Sequence, residues 1–86
     1  MNGYTEFFAK MIENGTVSFP TMLITHYKQL DLTETDLAVL LHMIVFREKE
    51  QITFPTIEQM QSRMSASPQS VIESFQRLIK KGYMTI

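Results

Sequence analysis

Two helix-starting signals separated by a short turn constrain the fold of this 86-residue chain more than any other feature. Thr56-Ile57-Glu58-Gln59 is a T-x-x-Q capping box, in which two side chains satisfy free backbone N–H groups, so it predicts a helix over residues 57–64. Ser67 is a good N-cap and Pro68 suits the first helical position, so a second helix is predicted from there to residue 81. Two helices joined by a turn of three or four residues define a helix-turn-helix.

Hydrophobic periodicity predicts the other helices and three short strands. Apolar side chains recur at three- and four-residue spacing, as on one face of a helix, over residues 5–14, 20–30 and 34–48. Polar and apolar side chains alternate, as on the two faces of a strand, over residues 16–19, 52–54 and 83–86. The expected order after residue 33 is therefore helix, strand, helix, turn, helix, strand.

That order predicts a fold that is mainly α with a small β-sheet. Residues 33–86 would form a winged helix-turn-helix core, in which the strand at 52–54 pairs with the strand at 83–86. Residues 1–32 would precede it as a helix–strand–helix extension. The wing would be incomplete, because its return strand is missing and a lone strand leaves backbone groups unpaired. We therefore expect one compact domain that is a fragment of a longer protein.

The residue types needed for catalysis or metal binding are scarce. The chain has no cysteine, which excludes disulfides, thiolate nucleophiles and cysteine-ligated zinc. Its two histidines, His26 and His42, fall on different predicted helices, and its three glycines stand at element ends, not in a phosphate-binding loop. We expect no enzymatic activity, no cofactor and no metal. The sequence contains neither a signal peptide nor an apolar run of the roughly 18 residues that a membrane span needs. We therefore expect a cytoplasmic location.

Charge argues against tight binding of DNA by this chain alone. The net charge is −1; residues 52–86 carry four basic and two acidic side chains, whereas residues 1–51 carry four basic and seven acidic ones. DNA affinity comes largely from neutralised phosphates, so weak binding at the basic end of the last helix is expected. The alternative is a winged-helix DNA-binding transcriptional regulator, which would need base-reading side chains backed by basic phosphate contacts. The candidate contacts to a partner or to DNA are Gln69, Ser70, Glu73, Arg77, Lys80 and Lys81.

The first thirty residues carry apolar side chains that the predicted core does not need. Burial of one large apolar side chain is worth roughly 1.5–3 kcal/mol, so leaving the whole set in water would be costly and would promote aggregation. Two arrangements remain open: the extension covers a second copy of the chain as an oligomerisation arm, or it folds back on its own core. The predicted oligomer contacts are Tyr4, Phe7, Phe8, Met11, Ile12, Val17 and Phe19.

Two short strings give the chain a family likeness. Thr25-His26-Tyr27-Lys28-Gln29-Leu30 and Phe54-Pro55-Thr56 are distinctive, and the ending Ile79-Lys80-Lys81-Gly82-Tyr83 continues the match. Over residues 11–86 the chain resembles the N-terminal domains of the DnaD family, which are primosome proteins of low-GC Gram-positive bacteria. The related DnaB proteins of the same bacteria and phage DnaD-like proteins are alternatives within the same group.

The resemblance implies a role in DNA replication initiation or restart and in helicase loading. Proteins of this family bring the replicative helicase to DNA together with the initiator DnaA and other primosome proteins. In them the N-terminal domain is a winged helix with an added helix–strand–helix that mediates self-association and contact with the initiator. Most DNA binding belongs to a separate C-terminal domain, which this chain lacks. The resemblance thus implies an oligomerisation and protein-interaction domain that forms dimers or higher oligomers. We expect the initiator to meet the exposed face of the last helix, including Ser70, Glu73 and Arg77.

Overall fold

The computed structural model describes residues 3–84, apart from the side chain of Tyr4. The regular structure of these residues consists of five helices. In chain order they are α1 (Gly3–Glu13), α2 (Thr21–Thr25), α3 (Glu34–Glu50), α4 (Ile57–Gln61) and α5 (Pro68–Lys80). Each helix overlaps a segment in which the sequence predicts one. The helices α2 and α4 have five residues each and end earlier than predicted.

Local capping signals start two of these helices where the sequence predicts them. The T-x-x-Q capping box is confirmed at α4: the Gln59 N–H donates to Thr56 Oγ1 (3.1 Å), and the Thr56 N–H donates to Gln59 Oε1 (2.8 Å). The Ser67 hydroxyl oxygen caps α5 by accepting from the Ser70 N–H at 3.1 Å. The first N–H groups of a helix have no partner inside the helix, so these side chains fix its starting point.

The predicted small β-sheet, and with it the winged helix-turn-helix, is wrong for the described residues, since no strand occurs between residues 3 and 84. The amides that the sheet would need are used at helix ends. The Ile52 N–H donates to Phe46 O (3.0 Å) at the end of α3, and the Tyr83 N–H donates to Leu78 O (3.0 Å) at the end of α5. An amide that closes a helix is not available to a strand ladder. The last half of the third predicted strand, residues 85–86, lies outside the described residues.

The strand predicted at residues 16–19 is irregular chain between α1 and α2, so the helix–strand–helix extension is corrected as well. An alternating pattern supplies two faces, but a strand also needs hydrogen bonds to a neighbouring strand. The chain closes α1 instead: the Gly15 N–H donates to Ile12 O at 3.0 Å, and Gly15 adopts a φ of 103°, which costs glycine little.

Helix α3 is the central element, with α5 packed along it and α4 packed against α5. Phe46 of α3, Met60 of α4 and Leu78 of α5 are at most 1% exposed and belong to one hydrophobic core. The segment after α2 joins this core, because Leu32 is buried there and Tyr27 packs against it. The chain from residue 27 onward therefore shares one core.

Helix α1 lies outside that core. The Cα radius of gyration is 14.4 Å and the principal extents are 46 × 28 × 23 Å. A compact chain of this length has a radius of gyration of about 12 Å. The difference shows that part of the chain extends from the packed body, as the exposed side chains of α1 also indicate.

Truncation of Leu78 to alanine tests the position of α5 in the core. Leu78 is fully buried, whereas its neighbour Ile79 has 37% of its surface exposed. We expect Leu78→Ala to lower the free energy of unfolding by about 2–5 kcal/mol, because it leaves a cavity, and Ile79→Ala to lower it by about 1 kcal/mol or less. Urea denaturation followed by circular dichroism measures both losses. Equal losses would contradict this orientation of α5.

Candidate protein-interaction site

Helix α1 presents a row of large apolar side chains to solvent, Phe7, Phe8, Met11 and Ile12, which we call the α1 stripe. Phe7 and Ile12 have 62% and 65% of their surface exposed, and Phe8 and Met11 have 48% and 50%. The rings of Phe7 and Phe8 meet edge to face, with their centroids 6.4 Å apart. The side chain of Tyr4, a further predicted contact, lies outside the described residues. A helix of 11 residues is marginal in water unless its apolar face is covered, so the stripe favours a contact with another surface.

The linker between α1 and α2 carries the other two predicted oligomer contacts. Val17 is half-buried and Phe19 is exposed. A Cβ atom on Gly15 would lie 3.8 Å from Lys49 Nζ, which places the start of the linker beside the C-terminal end of α3. The structure thus distributes the described contacts over two neighbouring segments, of which the α1 stripe is the more exposed.

A groove lined mainly by apolar side chains, which we call the apolar groove, opens beside α3 and has a volume of about 470 Å³. Arg47 is the one charged side chain among the described residues that line it, and no residue of α1 contributes. A pocket of this size and lining suits an apolar occupant. Its walls include Leu23 of α2, Leu40, Met43 and Ile44 of α3, and Phe54 from the segment before α4.

Helix α5 turns a polar row toward solvent. Gln69, Glu73, Gln76 and Lys80 are exposed, and their spacing places them on one face of the helix. Gln69 Nε2 donates to Glu73 Oε1 at 3.1 Å. Ser70 is half-buried and its hydroxyl accepts from the Ser67 hydroxyl at 2.9 Å. Of the predicted partner contacts, the structure therefore brings together Gln69, Glu73 and Lys80, and turns Ser70 toward the start of the helix.

Two of the predicted basic contacts bond within the molecule. Arg77 Nη2 donates to Asp36 Oδ1 at 2.8 Å. Lys81 Nζ donates to the carbonyl oxygen of Asp31 and lies 3.1 Å from Asp31 Oδ2. These bonds leave less positive charge for a partner at the end of α5 than the sequence count indicates.

Asp36 is a fully buried carboxylate with a hydrogen-bond donor for each oxygen. Ser74 Oγ donates to Oδ1 at 2.6 Å, and the Thr33 N–H donates to Oδ2 at 3.1 Å. Arg77 donates to both oxygens. Burial raises the pKa of Asp36, but the hydrogen bonds from Arg77, Ser74 and Thr33 and the Arg77 charge together outweigh burial and lower the pKa from its ordinary 3.8 to about 2.

Sequence reasoning missed the pairing of Asp36 with Arg77. It assigned Arg77 to a partner or to DNA and gave no bonding partner to Asp36. The spacing of Thr33 and Asp36 does signal a capping box, and the structure contains it, since the Asp36 N–H donates to Thr33 Oγ1 at 3.0 Å. Nothing local signals Arg77, which lies 41 residues further along the chain.

The pKa of Asp36 predicts a loss of stability in acid. A carboxyl group whose pKa is lowered by folding stabilises the folded chain above its ordinary pKa, and that contribution is lost as the pH falls toward the folded pKa. Each pKa unit corresponds to about 1.4 kcal/mol, so we expect about 2 kcal/mol of the free energy of unfolding to disappear between about pH 4 and pH 2. Urea denaturation at stepped pH measures this loss.

The control for this experiment is the exposed pair of Arg63 with Glu50, whose Nη1 and Oε2 atoms lie 2.6 Å apart. Glu50→Gln should leave most of the acid dependence in place, because exposed ion pairs contribute little to stability. Asp36→Asn should remove the Asp36 part of it. An Asp36→Asn chain with the acid dependence of the unmodified chain would show that another group is responsible.

Neither histidine belongs to a cluster of potential metal ligands in the described part. His26 Nδ1 lies 2.7 Å from Thr25 Oγ1, and burial lowers the pKa of His42, with the nearby charge of Arg63 acting in the same direction. Across residues 3–84 there is no group of three or more potential metal ligands. None of the described helices has both the length and the hydrophobicity to cross a membrane.

Comparison with known proteins adds to this geometry. Residues 19–86 match the DnaD N-terminal domain. The chain is 42% identical over 79 residues to the replicative helicase loading/DNA remodeling protein DnaD of Bacillus subtilis (strain 168). This alignment covers 92% of the present chain and 34% of the B. subtilis protein. The chain thus spans about a third of the length of this relative. Its structure is similar to the crystal structure of the N-terminal domain of DnaD protein from Geobacillus kaustophilus HTA426, with a TM-score of 0.77, 38% identity, and coverage of 94% of this chain and 73% of that chain.

Proposed function

Since this chain belongs to the DnaD N-terminal domain family, we propose that it is the oligomerisation and protein-interaction domain of a primosome protein. That protein would act in the initiation or restart of DNA replication and in loading the replicative helicase. The name of the B. subtilis relative, which specifies replicative helicase loading and DNA remodeling, supports this role. In this proposal the chain catalyses no reaction, and it works in the cytosol, where the chromosome is replicated.

The exposed α1 stripe is the observation that carries the proposal. Four large apolar side chains of one short helix lie at the surface. Burial of each is worth roughly 1.5–3 kcal/mol, so covering them with a second copy would supply much of the free energy of association. In this proposal residues 1–32 act as the oligomerisation arm, with Val17 and Phe19 beside the stripe, and residues 33–86 act as the core.

Charged substitutions on the α1 stripe should weaken self-association. Phe7→Asp and Ile12→Asp each place a carboxylate in an apolar contact, and together we expect them to raise the dissociation constant of the dimer by about a hundredfold or more. Glu6→Lys changes the charge on the opposite face of α1 and should change the constant little. Light scattering over a range of protein concentrations gives the constant for each chain.

Two results would contradict the self-association part of the proposal. One is a monomeric mass of the unmodified chain at every concentration. The other is an equal effect of Glu6→Lys and of the Phe7 and Ile12 substitutions, because a contact through the stripe must distinguish the two faces of α1.

We propose that the polar row of α5 meets the initiator DnaA or another primosome protein. The row is exposed along the whole helix, and the Asp36–Arg77 bond holds the helix in place from its inner side. Arg77 thus acts as a positioning residue in this proposal, although the sequence suggested it as a contact. Rows of polar and charged side chains give orientation and specificity to an interface more than affinity.

Reversal of the charge at Glu73 tests this face. Glu73→Lys should lower the affinity for purified DnaA by about tenfold, because it replaces an acceptor in the centre of the row by a cation. Glu58→Lys makes the same change at an exposed position of α4 and serves as the matched control. Biolayer interferometry with the immobilised chain measures both. Unchanged binding by the Glu73→Lys chain would exclude the polar row as the initiator contact.

Direct DNA binding by this chain is proposed to be weak. Arg77 and Lys81 bond to Asp36 and Asp31, so they offer less charge to phosphates, and DNA affinity depends on the number of phosphates neutralised. For this reason we do not propose the alternative of a transcriptional regulator. DNA would instead be bound chiefly elsewhere in the longer protein, as the length of the B. subtilis relative allows.

A further inference from the structure

The C-terminal end of α5 carries three neighbouring basic side chains, Arg77, Lys80 and Lys81, which we call the α5 basic patch. Their spacing of three and four residues places them side by side, since Lys81 continues the helical backbone as the C-cap. Lys80 is exposed and forms no ion pair with another described residue. In contrast, Arg77 and Lys81 are each paired with an aspartate of the same chain.

The two aspartates differ in how firmly they hold their partners. The side chain of Asp36 is fully buried and accepts further hydrogen bonds, so Arg77 cannot leave it without uncovering a buried charge. The side chain of Asp31 is 93% exposed, so its pair with Lys81 lies at the surface. Exposed ion pairs are weak, and Lys81 can therefore exchange Asp31 for another anion at little cost.

Asp31 occupies a backbone position that suits glycine better. Its φ is 59°, the Leu32 N–H donates to Tyr27 O at 2.9 Å, and the Asp31 N–H donates to Lys28 O at 3.1 Å. This pattern ends many helical turns, and glycine is the usual residue at its left-handed position. The aspartate instead brings a carboxylate to Lys81, whose Nζ bonds both to the Asp31 carbonyl oxygen and to Oδ2.

We propose that Asp31 competes with DNA phosphates for Lys81 and thereby suppresses DNA binding at the α5 basic patch. This inference rests on the proposed weak DNA binding of the chain and names a contact that weakens it. A phosphate binds Lys81 only in molecules in which the Lys81–Asp31 pair is open. The apparent affinity for DNA is therefore reduced by the fraction of molecules in which the pair is closed.

A nucleic-acid phosphate is the anion that suits the patch. Duplex DNA carries one negative charge per roughly 1.7 Å of its axis, so adjacent phosphates can engage Lys80 and Lys81 together. Helix α4 packs against α5. In homeodomains, which also pack consecutive helices in this way, the C-terminal end of the recognition helix contacts the DNA backbone.

Removal of the Asp31 carboxylate tests the competition. Asparagine also tolerates the left-handed conformation, so Asp31→Asn removes the charge and keeps the turn. We expect it to tighten binding of a fluorescein-labelled duplex DNA by about fivefold at low salt, which is the effect of losing an exposed ion pair. Glu48→Gln changes the net charge equally at an exposed site near the C-terminal end of α3, and it should alter the affinity little. Fluorescence anisotropy measures each dissociation constant.

The same substitutions in a Lys81→Gln chain separate competition from a general effect of charge. Without the lysine there is no cation for Asp31 to occupy. Asp31→Asn should then change the affinity for DNA no more than Glu48→Gln does. Light scattering on each variant shows that its oligomeric state equals that of the unmodified chain, so that multivalent binding does not contribute to the difference.

Three outcomes would overturn the proposal in different ways. An equal gain from Asp31→Asn with and without Lys81 refutes the competition and leaves weak DNA binding standing. Absence of DNA binding by every variant at low salt refutes both, whatever the oligomeric state. Polyglutamate that binds the Asp31→Asn chain as tightly as duplex DNA does would show that the patch serves acidic proteins instead.

Discussion

The bond between Asp36 and Arg77 fixes the arrangement of this domain, because it ties the start of α3 to the side of α5. Thr33 and Ser74 complete the set of donors around the same carboxylate. A buried charge is costly unless its oxygens are satisfied, so a shift of α5 along α3 would leave an unpaired charge in the interior. The apolar core imposes no such condition, since apolar contacts are non-directional and tolerate several arrangements.

The same bond determines which side chains of α5 reach solvent. With Ser74 buried and Arg77 bonded to Asp36, the polar row at the surface consists of Gln69, Glu73, Gln76 and Lys80. This face carries both charges and two amides, which suits recognition of a protein better than the neutralisation of phosphates. The structural role of Arg77 therefore changes the functional interpretation of the whole helix.

Local signals in the sequence predicted the helices, but they could not predict contacts between residues that lie far apart in the sequence. Capping boxes and periodic apolar residues act within one turn, so the starts of α4 and α5 were predicted correctly. The predicted strands do not form, because the amides of Ile52 and Tyr83 donate to carbonyl groups at helix ends. An alternating pattern of polar and apolar residues does not reveal this use of the amides. Of the candidate site, the exposed α1 stripe followed from periodicity. The apolar groove did not, because its walls come from segments that lie far apart in the sequence.

Helix α1 differs from the other helices in what stabilises it. The core from residue 27 onward buries its own apolar side chains, so it does not need a second copy to fold. In contrast, an isolated helix of 11 residues gains little from its backbone alone, and its apolar face is uncovered in one chain. If a second copy covers that face, helix formation in α1 and association become one linked equilibrium. The helical order of the arm would then depend on protein concentration, while the core stayed folded. A partner that raises the local concentration of this chain would therefore drive assembly without refolding the domain.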